Sequence, residues 1–100
     1  MAATIKALYR GAAATSSATL YTVPAATVTT VTNIVVTNTA ASAATFTITL
    51  DGVVMVPAVS IAANSFASFD LKQALAATKI IAGFASAVTV NFHISGVEVA

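Results

Sequence analysis

The segment Ala44-Thr45-Phe46-Thr47-Ile48-Thr49-Leu50 alternates without a break, with Phe46, Ile48 and Leu50 on one side of an extended chain and three threonines on the other. Side chains that change face at every residue describe a strand with one buried face; apolar positions of a helix recur every three to four residues instead. The same period returns near the C-terminus, where Val88, Val90, Phe92 and Ile94 alternate with Thr89, Asn91, His93 and Ser95. From Thr27 to Asn38 the run TVTTVTNIVVTN is built mainly from Val, Ile and Thr, whose branched Cβ suits a pleated surface and restricts helical rotamers. All three segments are predicted strands.

Further strands are expected at Ala3 to Tyr9, Ala18 to Val23, Val53 to Ser60, Ser65 to Leu71 and Lys79 to Ala85. Turn-forming stretches separate them: Gly11 to Ser17, Pro24-Ala25-Ala26, Asn38 to Ala43 and Ala62-Ala63-Asn64. About eight short strands at regular spacing, with no helical pattern between them, predict an all-β antiparallel sandwich or jelly-roll-like fold. One short helix is expected where Asp70 precedes Gln73 in the manner of a capping box, with Leu71 and Leu75 four residues apart on one face. Asp51-Gly52 between two apolar runs predicts a two-residue hairpin turn, because a type I′ turn needs positive φ at both central positions. That register pairs Leu50 with Val53, Thr49 with Val54, Ile48 with Met55, Thr47 with Val56 and Phe46 with Pro57. Pro57 lacks the N–H of a central strand, so Val53 to Ser60 is expected at a sheet edge.

Length and charge limit the function. The 100 residues are expected to form one domain, 1–100, with residues 1–11 as an N-terminal arm or an edge strand. Only 7% of residues are charged, against about 25% in an average soluble domain. A net charge of +1 with four Lys and Arg supplies little field for nucleic acid or a membrane surface. The chain has no cysteine, and hence no disulfide, thiolate nucleophile or Cys-held metal. The longest apolar run, Val53 to Val59, is far shorter than the roughly 18 residues of a spanning helix. No secretory signal is read in MAATIKALYRG, so an untargeted protein is expected.

No catalytic, cofactor or metal site is expected. His93 is the sole histidine and sits in phase with polar strand residues, while the carboxylates Asp51, Asp70 and Glu98 are scattered along the chain. The isolated glycines form no phosphate-binding loop. Interface residues are expected in two places. Lys6, Leu8 and Arg10 share one face of the first strand, and Val54, Val56 and Ala58 face outward on the uncharged edge strand, which a partner subunit would cover. Tyr9 and Tyr21 are expected to be half-buried in the sandwich. Gly96 marks a phase change in the last strand, and a bulge there would keep Ile94, Val97 and Val99 all inward.

The string from Leu8 to Val54, LYRGAAATSSATLYTVPAATVTTVTNIVVTNTAASAATFTITLDGV, together with the closing HISGVEV, resembles small structural proteins of tailed bacteriophages, particularly of actinobacterial hosts. The resemblance rests on strand-and-turn texture and carries no site residues with it. It implies a virion location, reached after assembly in the host cytoplasm, either as a head decoration protein or as a minor tail component. The function expected is a non-enzymatic capsid decoration protein, homo-oligomeric, whose partners are the major capsid protein or other virion proteins. The alternatives are a minor tail or fibre-base protein with a host-contact role and, after it, a carbohydrate-binding module, which the absence of Trp disfavours.

Overall fold

In the computed structural model, which describes residues 2–100, every expected strand forms and a Thr, Val or Ile occupies many of the paired positions. The strands are β1 (Ala3–Ala12), β2 (Ala18–Thr22), β3 (Val28–Asn38), β4 (Ala44–Leu50), β5 (Val53–Ile61), β6 (Ser65–Leu75), β7 (Ile80–Ala85) and β8 (Val90–Val99). They make two antiparallel four-stranded sheets, ordered β1-β8-β3-β6 and β2-β7-β4-β5. β1 stands at a sheet edge, and Met1 lies outside the described residues. Every connection except the β4–β5 hairpin crosses from one sheet to the other, so the second half of the chain retraces the first: β8 beside β1, β7 beside β2, β6 beside β3, β5 beside β4.

The alternation seen in the sequence puts the core between the sheets. Ile34, Val36, Phe92 and Ile94 come from one sheet and Phe46, Ile48, Leu50 and Ile81 from the other, all buried in one cluster. Phe46 spans the gap, its ring 6.2 Å from Phe69 and 6.3 Å from Phe92 in tilted geometries that suit aromatic quadrupoles. The long strands give a body of 45 × 21 × 18 Å with two distinct ends. One holds the Asp51-Gly52 turn and the close of β8; the other holds the loops around Asn38.

Three expectations are corrected. The helix at Asp70 is absent, because β6 runs unbroken from Ser65 to Leu75. Leu71 and Leu75 share a face in a strand as readily as in a helix, so their spacing could not separate the two. The alternation of half-buried Ala67, Phe69 and Leu71 with exposed Ser68, Asp70 and Lys72 could, and it prevails through pairing with β3. Asp70 accepts a bond from Asn33 Nδ2 at 3.4 Å across the ladder and caps nothing.

The hairpin begins as expected. Asp51 and Gly52 have φ of 53° and 76°, Leu50 pairs with Val53 and Thr49 with Val54, and β5 lies at a sheet edge. Beyond that point β5 bulges twice, so Ile48 meets Val56 and Phe46 meets Val59. Val56 is thereby turned into the core, 5% exposed, where an outward position was expected. Ala58 carries the second bulge at φ 44°, held by its N–H donating to Thr47 Oγ1 at 3.1 Å.

Gly96 carries no bulge of its own; β8 keeps its phase through it, and the bulges fall on neighbours, between Ala7 and Tyr9 in β1 and between Val31 and Asn33 in β3. A Cβ at Gly96 would lie 2.3 Å from the Thr30 carbonyl oxygen and 2.9 Å from Leu8 Cδ1, so only glycine lets these strands close in. The outcome opposes the expectation: Ile94 and Gly96 face the core, Glu98 follows them inward, and Val97 and Val99 face out.

Candidate functional site

At the end of the molecule where β8 finishes, the usual order of polarity is reversed on three adjacent strands. Thr4 and Lys6 of β1, Glu98 of β8 and Thr29 of β3 lie on the side facing the second sheet, as their pairings Thr4:Glu98, Lys6:Gly96 and Thr29:Glu98 require. On the outer side, Ile5, Val97, Thr30 and Ala74 form one cross-strand row and Ala3, Val99 and Val28 the next. Neither row contains a charge. Ile5 is 85% exposed and Val28 49% exposed, the opposite of what β-branched apolar residues reach in a core.

Thr29, Tyr21, Glu98 and Lys6 are joined by one chain of bonds. The Thr29 hydroxyl, itself fully buried, is 2.9 Å from Tyr21 Oη, and the Tyr21 hydroxyl donates to Glu98 Oε2. Lys6 Nζ lies 3.4 Å from both Glu98 oxygens. Because Tyr21 belongs to β2, this chain of bonds ties the two sheets together at their open end. Burial, and then the bond to Glu98, raises the Tyr21 pKa above its ordinary value. The Tyr21 hydroxyl, and after it the Lys6 ammonium, lowers that of Glu98. Both shifts favour the neutral-pH forms of the two groups, phenol and carboxylate. The cluster is a tie between sheets.

The expected interface residues do not gather. The β1 bulge at Leu8 breaks the shared face: Lys6 turns inward to Glu98, while Arg10 pairs with His93 on the outer face. Leu8 is core, 8% exposed. Val54 and Ala58 are exposed on β5, Val56 is not, and β5 borders the other sheet on the side away from β1. Tyr9 and Tyr21 are half-buried against the core, as expected. His93 is half-buried on the outer face between Arg10 and Val35. Among the described residues no three His, Asp or Glu side chains gather as a metal site would require, no pocket opens, and no helix is long and apolar enough to cross a membrane.

The outward residues Ile5, Val28, Val97 and Val99 and the Tyr21–Glu98 tie were not anticipated from the sequence. The signal was present in SGVEV: alternation carried straight through Gly96 puts both valines outside and Glu98 inside. Neither a known protein-family model nor a curated protein sequence matches the chain.

Proposed function

We propose that this chain is a non-enzymatic structural protein of a phage virion, a capsid decoration protein that binds the outer shell. The observation that carries the reading is the reversed end of the β1-β8-β3-β6 sheet, where Val28, Val97 and Val99 face outward without a charged neighbour in their rows. A patch of this kind gains about 25 cal/mol for each Å² of apolar area that a partner covers, before the costs of association. Many copies on one shell multiply a modest contact by avidity.

Two further features support it. The winding of the chain, β1-β8-β3-β6 over β2-β7-β4-β5, is that of a jelly roll, an architecture used by viral capsid and lectin domains. The low charge removes the repulsion that keeps free monomers apart.

The test is binding to purified phage heads that lack the protein. The native chain is expected to bind at a fixed ratio to the major shell protein, and the double variant Val97→Asp/Val99→Asp to lose binding while keeping its circular dichroism spectrum. Labelling confined to tails would replace decoration with the minor tail role. Absence of the chain from purified particles, by mass spectrometry, would end the virion reading altogether.

A further inference from the structure

Among the described residues β1 pairs with β8 on one side and keeps its other edge open. Ala2 and Ala100 exchange both backbone bonds, Ala2 N–H to Ala100 O at 3.2 Å and Ala100 N–H to Ala2 O at 3.0 Å. In an antiparallel ladder such pairs alternate with pairs that direct their backbone groups away from each other. Thr4 and Lys6 therefore point their N–H and C=O groups at β8, while Ala3, Ile5 and Ala7 point theirs at the open side, where β1 has no strand neighbour. Pairing with β8 is regular from Ala3 to Ala7, stops at the bulge before Tyr9, and has Ile5 as its midpoint.

The geometry points to a second copy of this chain as the occupant of that edge, joined antiparallel about a two-fold axis through Ile5. In this register Ile5 meets Ile5 of the other copy, Ala3 meets Ala7, and Thr4 meets Lys6. All six open backbone groups of Ala3, Ile5 and Ala7 find partners, and no like charges oppose each other. A two-fold axis through Lys6 would set the two lysines face to face, one through Ala7 would run into the bulge, and one through Ala3 or Thr4 would shorten the pairing. Pairing about Ile5 also extends the outer row across the axis as Thr30, Val97 and Ile5 of one copy followed by Ile5, Val97 and Thr30 of the other. The most exposed large apolar side chain of the described residues, Ile5, is then covered from the side.

The other strand edges are less suited to this. β5 is interrupted by two bulges and Pro57, β2 is five residues long and bulged, and β6 carries Asp70 and Lys72 and is bulged against β3, whereas the span Ala3 to Ala7 of β1 lies ahead of its bulge and its one charge, Lys6, is paired with Glu98. Bulges, prolines and charges are the usual means of keeping an edge from pairing. A five-residue pairing falls below the roughly 1,200 Å² of standard-size interfaces, so the dimer is weak, in the range of about 10 μM to 1 mM.

The inference stands apart from the virion reading, since it concerns the purified chain alone. The chain has no cysteine, so one introduced by Ile5→Cys reports directly on the axis. Hydrogen-bonded partners in an antiparallel pair sit about 5.5 Å apart at Cα, within the range a disulfide spans. At about 1 mM protein, Ile5→Cys is expected to oxidise to a covalent dimer, and Val54→Cys on the β5 edge to stay monomeric under the same conditions. Sedimentation equilibrium provides the second measurement. Ile5→Lys, which opposes two ammonium groups across the axis, is expected to raise the dissociation constant at least about tenfold with its circular dichroism unchanged. A native chain that remains monomeric at about 1 mM, crosslinking by Val54→Cys in place of Ile5→Cys, or an Ile5→Lys variant that associates as the native chain does would each overturn the proposal.

Discussion

The two ends of the sandwich solve the same problem in opposite ways. At one end Asn38, 2% exposed, donates through Nδ2 to the carbonyls of Ser42, Ile61 and Ala62 and accepts through Oδ1 from Ala40 N–H and the Thr89 hydroxyl. A neutral side chain gathers three loops there, and the loop segments 13–17, 39–43, 62–64 and 86–89 contain no charged residue. At the other end the polar group is a half-buried carboxylate, Glu98, tied to Tyr21 and Lys6, with a second ion pair, Lys79 to Asp51 at 3.8 Å, on the turns nearby. The neutral end is organised for stability that does not depend on pH. The ionised end sets Lys6 and Glu98 on the side of their sheet that faces the second sheet and leaves valine and isoleucine on the outer side.

The sharpest way to break the ionised end is Gly96→Ala. Its new methyl group meets the Thr30 carbonyl and Leu8 at once, and a loss of about 3 kcal/mol or more is expected in denaturant unfolding. At the neutral end Asn38→Ala leaves buried carbonyls and a hydroxyl without their partner; a loss of about 2 kcal/mol is expected, the same at pH 4 as at pH 8. Tyr21→Phe strands the buried Thr29 hydroxyl and is expected to cost about 1 kcal/mol.

The pH dependence separates the ends further. Glu98 titrates lower in the folded chain than its ordinary value of 4.5, so its contribution is present above that value and is lost as pH falls through the lowered one. Thermal unfolding between pH 2 and 6 is therefore expected to show an acid limb in the native chain that is shallower in Tyr21→Phe and shallowest in Glu98→Gln. An acid limb unchanged by Glu98→Gln would remove the distinction between the two ends. The smallest effect is a gain. Thr78, in the turn after β6, holds φ at 70°, where a β-branched side chain is crowded, and Thr78→Gly is expected to add about 0.5 kcal/mol, or a few degrees in Tm.

Strand positions were legible in this chain because Thr, Val, Ile and Phe alternate over long stretches, and the Asp51-Gly52 turn was legible because few dipeptides accept two positive φ angles. What the sequence hid was the placement of extra residues. Nothing at Met55, Leu8 or Thr32 announces a bulge; each arises because a neighbouring strand must fit, as β1 and β3 do against the missing side chain of Gly96. A bulge reverses every side chain beyond it, which is how Val56 became core and how Lys6 and Arg10 parted. The assumption that valines belong inside also misplaced Val97 and Val99, although the plain period of two already had them right.

The double interruption of β5 has a consequence for the size of any assembly. A chain with two unbroken flanks could add neighbours on both and grow into an endless ribbon. Here one flank, β1, is open and regular from Ala3 to Ala7, while the other three are bulged, and β2 is short as well. If the copies join along β1 as proposed, lateral growth closes after a single joining, and larger arrangements need a scaffold to set the copies side by side.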